Sequence, residues 1–567
     1  MPIVTDKTPF EGQTILVGES AMTRKLGFKS EDFDEQEYMI RFLPETLVLM
    51  GKDWEDTEEN QQELGISTTF NSIGESRVKL DYAKVTGFSE IETETITLPG
   101  FFDPQGTCYA VYDFLERFCN VRWYAPTELG MVYPETDALA IKPENIRRSP
   151  AFAHREGWVT SPWPILKEQW DNPTPDECQL YVRRLRVGGD KWAGNHSFRS
   201  YYDRFLRKNP DNPELFEGEH PEYFAQGRSQ GERQFCYTNQ AFIEQVAQDA
   251  RDFFDGKSLH GFAPAMGDYF AVVPMDNNAW CLCPNCQAEL EKDKQKSSPY
   301  FSNGRASGYM FGFINKVAKE LAKTHPDKSI SALAYWDYAH YPEGVELEPN
   351  LAVAPCLHTR LYWGPKMEKN DVELYKSWIE KKDRPIYLWL YNCFPEENAL
   401  VGKFHCFPGF SIHIADRFIK MFHKDGVRGF FLCGIGEQVD YYVTVKLFDN
   451  IDLNVDDVLD EFFSLYYGSA SEPVKKLYLR IEEIYSSPES YPESVIKPDG
   501  HFHQTEEIAW KYLGTEERMA ELGQILDEAK SLAKTDIEQK RVRLFEKGVW
   551  EYMLEGRQKY LEKSSHK

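Results

Sequence analysis

The sequence predicts an α/β fold: a central (β/α)8 barrel of the TIM type at residues 151–450, an α/β domain before it at residues 1–150 and a helical domain after it at residues 451–567. Three observations support this prediction. Short apolar runs alternate with helical stripes in the central part, as parallel strands alternate with crossover helices. No glycine-rich nucleotide turn or P-loop follows the first run, although an open doubly wound sheet would often carry one. Helical patterns dominate after about residue 450.

The first domain shows two apolar runs and one amphipathic helix. Residues 14–18 and 46–50 read as buried strands. The helix has an apolar stripe at the spacing i, i+3, i+4 and i+7, formed by Val111, Phe114, Leu115 and Phe118. Residues 146–150 are polar and end in proline, so the domain is predicted to end near Pro150.

The central region repeats short apolar runs with helices between them. The runs are 259–265, 330–336, 351–356, 386–391 and 427–433. Residues 310–321 and 414–422 carry helical stripes. About 300 residues of this alternation fit an eight-stranded barrel better than an open sheet.

The last region begins with a helix bounded by recognisable signals. Asn454 is a candidate N-cap and Gly468 a stop. Further on, Thr535 and Glu538 have capping-box spacing before another helix. The region after residue 450 is therefore predicted to be helical.

Charge and hydropathy exclude several classes of protein. The 65 Lys and Arg against 91 Asp and Glu give a net charge of −26, which disfavours nucleic acid or an anionic membrane as partner. The longest apolar runs, such as 386–390, are far below the ~18 residues of a membrane span. Residues 1–12 lack a secretory signal, so a cytoplasmic protein is expected for the chain as given, or a periplasmic or secreted one if an upstream signal was lost. No cofactor is expected.

Acidic residues follow several of the predicted strands, where a barrel carries its catalytic groups. They are Glu156, Asp190, Asp268, Asp276, Asp337 and Glu437. Helix N-caps and loop ion pairs also place acids at such positions, and that alternative stays open for each one. Glycosidic bond cleavage needs a protonated carboxyl and a second carboxylate, so the recurrence of acids favours a glycosidase.

Aromatic rings lie among these acids and could stack on sugar faces, although most rings in any protein are core. The candidate substrate-binding residues are Arg155, Glu156, Trp192, His196, Tyr335, Trp336, Tyr338 and Tyr391. His196 could equally be a core histidine. An arginine cluster near the first two strand ends predicts a locally positive pocket for an anionic sugar, with Arg155 as its main contact, or else ion pairs with the surplus acids. The cluster is Arg155, Arg183, Arg184, Arg186 and Arg199.

Three cysteines, Cys281, Cys283 and Cys286, are close in sequence, but no fourth ligand is adjacent. A local disulfide or free thiols that brace the loop are favoured over a structural zinc. His501 and His503 lack a nearby third ligand, so no metal site is predicted.

Longer motifs resemble a known family. Residues 106–116, 121–126 and 149–152 resemble the end of the N-terminal domain shared by family 67 α-glucuronidases and family 20 β-hexosaminidases. Residues 220–224, 234–239 and 441–446, and Asp276 with its cysteine-rich turn, look most like a bacterial family of glycoside-hydrolase-like proteins.

This resemblance implies a glycoside hydrolase, with Asp276 as general acid, Glu437 as base or nucleophile and Asp337 in reserve. The Asp-Glu dipeptide of the hexosaminidases is absent at the fourth strand, which puts N-acetyl-assisted hydrolysis in doubt. Residues 2–4 align inside the family's first domain, which predicts an unpaired sheet edge compatible with a homo-oligomer.

Two other functions stay open. One is a carbohydrate-binding protein that keeps the aromatic rings without cleaving. The other is a polysaccharide lyase using His196, Tyr338 and the arginines on a uronate. The acids that follow the predicted strands favour a hydrolase with a carbohydrate substrate.

Overall fold

The computed structural model describes residues 12–54, 78–81, 95–157, 163–228, 234–257, 264–496 and 503–565, with the backbone alone for 78–81 and 95–98. The expectations for residues 2–4, for His501 and for most of the 259–265 run lie outside the described residues.

The described strands and helices follow the predicted order. The strands are β1 Thr14–Val17, β2 Tyr38–Leu43, β3 Thr46–Gly51, β4 Val78–Asp81, β5 Thr95–Leu98, β6 Arg122–Trp123, β7 Met131–Val132, β8 Ile146–Arg148, β9 His154–Glu156, β10 Gly188–Gly189, β11 Ala265–Met266, β12 Tyr269–Ala271, β13 Ser329–Ala334, β14 Leu351–Leu357, β15 Tyr387–Phe394 and β16 Gly429–Ile435. The α-helices of four or more residues are α1 Ala21–Lys25, α2 Gly106–Cys119, α3 Pro164–Gln169, α4 Pro175–Arg184, α5 Gln240–Phe254, α6 Pro284–Lys292, α7 Ser307–Ala322, α8 Pro365–Ile379, α9 Glu397–Leu400, α10 Ile412–Asp425, α11 Gln438–Asp449, α12 Val455–Tyr467, α13 Ser471–Ser486, α14 Glu493–Ile496, α15 Glu516–Leu532, α16 Asp536–Phe545 and α17 Glu551–Ser565. None of these helices is both long and apolar enough to cross a bilayer.

The N-terminal region is a four-stranded sheet in the order β1-β3-β2-β8, with helix α2 on one face. Strand β1 is parallel to β3, and the other pairs are antiparallel. Apolar residues of α2 meet one face of the sheet in a single core: Tyr38, Ile40, Leu47, Leu49, Tyr109, Ala110 and Phe114. The two predicted strands and the helix are confirmed, and β2 and β8 are the strands that the sequence pattern did not reveal.

The central sheet has eight strands in the order β10-β9-β16-β15-β14-β13-β12-β11. Strands β9, β16, β15, β14, β13 and β12 run parallel, and the two end strands are antiparallel to their neighbours. Among the described residues no ladder joins β10 to β11. In the part of the chain that the structure describes, the sheet is therefore a curled, mostly parallel half-barrel, and a closed (β/α)8 barrel is not confirmed.

The end strand β10 consists of two glycines. Gly188 and Gly189 have φ of 122° and 113°, a backbone conformation that favours glycine and does not continue a regular strand. A Cβ at either residue would lie about 2.0 Å from a carbonyl oxygen, of Phe101 and Ala153 respectively. Close contact with neighbouring backbone thus replaces a full second strand here.

The concave side of the curled sheet is filled by side chains. Its core consists of Trp192, Val273, Leu333, Ala352, Ala354, Cys356, Tyr387, Trp389 and Phe431. The ring of Trp192 stacks on Tyr387 at 4.8 Å between centroids, and His154 of β9 reaches the same tyrosine at 5.8 Å. The interior is a packed core, so a substrate can be met only at the ends of the strands.

The helical region follows the signals that predicted it. The Asn454 side chain accepts hydrogen bonds from the backbone N–H groups of Asp456 and Asp457, and α12 ends at Gly468. Thr535 and Glu538 form a capping box at the start of α16. Glu538 also accepts a hydrogen bond from the N–H of Ser469 at 3.0 Å, so the same residue ties two helices together.

Candidate functional site

Asp276 lies beyond the carboxyl end of β12, in contact with groups from two other segments. The hydroxyl of Tyr335, directly after β13, donates a hydrogen bond to Asp276 Oδ1 at 3.2 Å. The Nε2 atom of His196 is 3.9 Å from the same oxygen, and its Nδ1 contacts the carbonyl oxygen of Pro274. The Asp276 side chain is 60% exposed, so it remains open to a ligand.

The side chain of Gln234 holds the backbone of the loop that carries Asp276. The Gln234 amide donates to the carbonyl oxygens of Met275 and Asn277, on either side of Asp276. Tyr237 donates to the Gln234 side-chain oxygen at 2.6 Å. A carboxylate on an exposed loop is thereby given a fixed backbone position.

Aromatic rings from neighbouring strands flank this acid. Trp336 is half-buried and stacks on Phe301 at 5.5 Å with nearly parallel planes. Tyr391 is half-buried and stacks on His358 at 5.1 Å. Burial, and then the charge of Asp276, raises the pKa of Tyr335, which keeps its hydroxyl a donor. The structure therefore brings together five of the predicted residues: Asp276, His196, Tyr335 and, through ring contacts, Trp336 and Tyr391.

Glu437 occupies a position that does not fit its predicted role as base or nucleophile. It is the N-cap of α11 and accepts from the N–H groups of Val439 and Asp440 and from the Gln169 amide. Burial raises the pKa of its carboxyl. The adjoining cavity is about 20 Å³, room for about one water molecule rather than a sugar ring. The helix-cap alternative is the one that matches this geometry.

Asp337, the predicted reserve, is also engaged in a buried network. Its Oδ2 lies 2.7 Å from an Arg305 guanidinium nitrogen. The amide of Asn303 donates to its Oδ1 at 3.2 Å and the Trp280 indole to its Oδ2 at 3.4 Å. These contacts position a turn, and they leave Asp337 without an exposed oxygen for substrate.

A second carboxylate at the strand ends was missed by the sequence analysis. Glu397 follows β15, and Arg360 donates to its Oε1 at 2.6 Å. Burial alone would raise the pKa of Glu397, but His503 and Arg360 hold it well below its usual range. Its side chain is 40% exposed. The sequence did contain a signal for this acid, because Glu396 and Glu397 come soon after the apolar run at 386–391.

Glu397 is linked to the Asp276 cluster through aromatic contacts. The Arg360 guanidinium lies 5.5 Å from the ring centre of Tyr391. Tyr391 stacks on His358, whose ring meets Phe301 at 5.1 Å, and Phe301 meets Tyr335 at 5.4 Å. The contacts thus run continuously from Asp276 to Glu397 across the ends of β13 and β15.

The remaining predicted substrate contacts are buried in the protein. Trp192 and Tyr338 are at most 2% exposed, as are Arg155 and Glu156. Arg155 donates to the carbonyl oxygens of Arg186 and Phe152. Its Nη2 contacts the Tyr109 hydroxyl at 3.4 Å, so the buried guanidinium of Arg155 is engaged within the protein and does not match the predicted role of substrate contact.

Three of the five arginines in the cluster, Arg155, Arg183 and Arg186, are buried and bonded within the chain. Arg186 pairs with Glu116 and Asp449, each at 2.7 Å. Arg183 donates to the carbonyl oxygen of Pro99 at 2.6 Å. The ion-pair alternative describes Arg186, whereas Arg199 is exposed, so the positive pocket for an anionic sugar stays a prediction.

Two groups in the described residues have the composition of a metal site. The first is Glu396, Glu397 and His503, in which the histidine pairs with both carboxylates. The second unites Cys281, Cys283 and Cys286 with Cys236 from another segment. All four are free thiols, which is one of the two favoured alternatives, and the fourth ligand that the sequence motif lacked comes from 45 residues earlier in the chain.

Residues 123–480 match the model of the family described as "Domain of unknown function (DUF4838)". This match covers more than half of the chain. No curated protein matches the sequence. The expected relation to families 67 and 20 is thus not what the family match shows.

Among solved structures, two of the similar chains are a family 89 glycoside hydrolase from Clostridium perfringens. The complex with PUGNAc has a TM-score of 0.46 and 10% identity and covers 80% of this chain and 55% of that one. The complex with 2-acetamido-1,2-dideoxynojirmycin has a TM-score of 0.42, 11% identity and coverages of 78% and 57%. A third is a family 138 glycoside hydrolase that targets pectin rhamnogalacturonan II, with a TM-score of 0.34, 10% identity and coverages of 97% and 65%. The chain thus spans less than two thirds of each, and at these scores the activity has to follow from the site.

Proposed function

The chain belongs to the family of Domain of unknown function DUF4838, and from its site we propose that it hydrolyses a glycosidic bond. The observation that supports this proposal is the exposed carboxyl of Asp276, held at the ends of parallel strands by Tyr335 and His196 and flanked by half-buried rings. A carboxyl beside aromatic faces suits a sugar whose glycosidic oxygen must be protonated.

Asp276 is assigned the role of general acid. Its exposed oxygens can reach a bound glycoside, while the Tyr335 hydroxyl and the His196 ring limit its rotation. Gln234 fixes the backbone on both sides. Positioning within hydrogen-bond reach of the reacting oxygen is the first requirement of an acid catalyst.

Glu397 is assigned the role of nucleophile or base, in place of Glu437. A nucleophilic carboxylate must be ionised when the bond breaks, and Arg360 and His503 keep Glu397 in that form. Its Oε2 is buried, so Oε1, which accepts from Arg360, is the oxygen assigned to the substrate, in a side chain that is 40% exposed. Glu437 is enclosed. Trp336 and Tyr391 are assigned to sugar stacking, and no preference for an anionic sugar is assigned.

The test uses purified protein and a panel of aryl glycosides, with release of the aryl group as the readout. Asp276→Asn and Glu397→Gln are each expected to lower kcat about 10²-fold to 10⁴-fold. Asp268→Asn is the matched control, because Asp268 is an exposed acid at the β11–β12 turn paired with Lys328. Azide should restore turnover to Glu397→Ala if that residue is the nucleophile.

Three outcomes would contradict the proposal. If Glu437→Gln abolishes cleavage while Glu397→Gln does not, the roles return to the first assignment. Products that absorb as unsaturated uronates would indicate a lyase. Saturable binding of oligosaccharides without any cleavage would indicate a carbohydrate-binding protein.

A further inference from the structure

We propose that Cys236, Cys281, Cys283 and Cys286 bind one structural Zn²⁺ ion. All four residues are buried. Their sulfur atoms lie within 4.8 Å of one another. Four thiolates around one ion are a common ligand set for structural zinc.

The sulfur spacing fits a tetrahedral ion and excludes a disulfide. Cys236 Sγ is 3.8 Å from Cys283 Sγ and 3.7 Å from Cys286 Sγ. A disulfide would place two sulfurs at about 2.05 Å. Four Zn–S bonds of ~2.3 Å in a tetrahedron separate the sulfurs by about 3.8 Å. The observed separations are therefore those that zinc requires.

Backbone N–H groups and one hydroxyl surround the sulfurs in the way that stabilises thiolates. The N–H of Gln226 points at Cys281 Sγ at 3.2 Å, and the N–H of Cys286 points at Cys283 Sγ at 3.4 Å. The Thr238 hydroxyl lies 3.1 Å from Cys286 Sγ. Such donors offset the excess negative charge of four thiolates on one divalent ion and orient the ligands.

The cluster joins the 234–239 segment to the turn at 281–286. Cys283 is the N-cap of α6, whose first residue is Pro284, and Cys236 belongs to the 234–239 segment. Gln234 in that segment holds the Asp276 loop. The ion would therefore fix the base of that loop, and its presence does not depend on which reaction the protein catalyses.

The first experiment measures the metal content of the full chain, purified in a reducing buffer, by plasma mass spectrometry. One zinc per chain is expected. Cys236→Ser should lose it, because three thiolates remain. Cys178→Ser should keep it, since Cys178 is a buried free cysteine in α4, outside the cluster.

A second measurement keeps the proposal testable if Cys236→Ser does not fold. The wild-type chain is stripped of metal and titrated with Co²⁺, which should give tetrahedral d–d bands and thiolate charge-transfer bands that Zn²⁺ then abolishes. Zinc-edge absorption should show four sulfur neighbours at about 2.3 Å. A chain that binds neither ion after full reduction overturns the proposal. So does a disulfide among these cysteines in the freshly purified protein, or bound iron in place of zinc.

Discussion

At the scale of single residues, the acids that follow strands differ in their surroundings rather than in their sequence pattern. Asp276 and Glu437 each follow a strand of the central sheet. Asp276 projects from a loop with most of its side chain exposed. Glu437 turns back to accept N–H groups at the start of α11. Strand position therefore predicts where an acid lies, and its hydrogen-bond donors decide what it does.

Replacing Tyr335 by phenylalanine is expected to lower kcat about tenfold with little change in KM. The variant removes the hydroxyl that donates to Asp276 Oδ1, so the acid becomes less well oriented without losing the ring. Steady-state kinetics on the best substrate of the glycoside panel measures the effect. Tyr269→Phe, at the other end of the sheet interior, is the control. An unchanged kcat would remove Tyr335 from the positioning of Asp276.

Replacing Glu437 by glutamine is expected to destabilise the protein by about 1–3 kcal/mol, because an amide nitrogen cannot accept the hydrogen bonds that a buried carboxylate oxygen accepts. Glu437 receives three of them from Val439, Asp440 and Gln169. The free energy of unfolding in urea measures the loss. A stable variant without activity would contradict the structural role and return Glu437 to the chemistry.

The site could be predicted only in part, and the reasons are physical. Asp276, His196, Tyr335 and Tyr391 were predicted because strand ends converge. Arg155 was misassigned because the sequence does not show that its guanidinium group donates hydrogen bonds to backbone carbonyl oxygens. The role of Cys236 was invisible because its partners come 45 or more residues later in the chain.

At the scale of helices and strands, the sequence predicted an element well where the spacing of its apolar residues and its capping residues indicate the same boundaries. The helix after Asn454 begins and ends at the expected residues, and β14 and β16 coincide with apolar runs. The prediction failed at β10, where two glycines with positive φ follow Arg186, itself at φ 61°. An apolar run cannot reveal such backbone, so this short antiparallel end strand could not be predicted.

Helix α10 is tied to the C-terminal helices by a titrating histidine. His413 contacts Glu482 of α13 at 2.7 Å and Asp456 of α12 at 3.2 Å. The hydrogen bond to Glu482 raises the pKa of His413 to about 9. A raised histidine pKa stabilises the fold fully below its unfolded value of about 6.5, and this stabilisation is lost as the pH rises through 9.

The expected result is a fall in the free energy of unfolding between pH 6.5 and 9 that is smaller in His413→Gln. Urea unfolding at several pH values in that window measures it. His423→Gln is the matched control, because His423 is an exposed histidine on the same helix. Parallel pH dependences of the wild type and His413→Gln would show that these ion pairs contribute nothing.

At the scale of the whole molecule, one buried arginine connects the N-terminal region to the far end of the central sheet. Arg186 is fully buried and pairs with Glu116 of α2 and with Asp449, the last residue of α11. Burial would raise the pKa of Asp449, but Arg186 and Arg148 hold it well below its usual range. The order of the three regions was predicted from the sequence. The ion pairs of Arg186 were not, because residues that form ion pairs have no regular spacing along the sequence.

Replacing Asp449 by asparagine is expected to cost about 3–5 kcal/mol, because it leaves a buried guanidinium only partly neutralised. Urea unfolding at neutral pH measures the loss. Asp452→Asn, an exposed carboxylate three residues away, should change the stability by less than about 0.5 kcal/mol. If Asp449→Asn and Asp452→Asn lower the free energy of unfolding equally, the ion pair between Arg186 and Asp449 is not a main source of stability.

The pairing of β9 with β16 also sets the order in which a nascent chain can be completed. Strand β9 is made early, yet its parallel partner is residues 429–431 of β16. At ~5–20 residues per second, a ribosome reaches that partner roughly 15–55 s after β9 has been synthesised. During this interval Arg186 also lacks Asp449. Until translation passes Asp449, the growing protein therefore presents an unpaired strand edge and an Arg186 that has only Glu116 as its acidic partner, and this is the period in which a ribosome-associated chaperone would have most to protect.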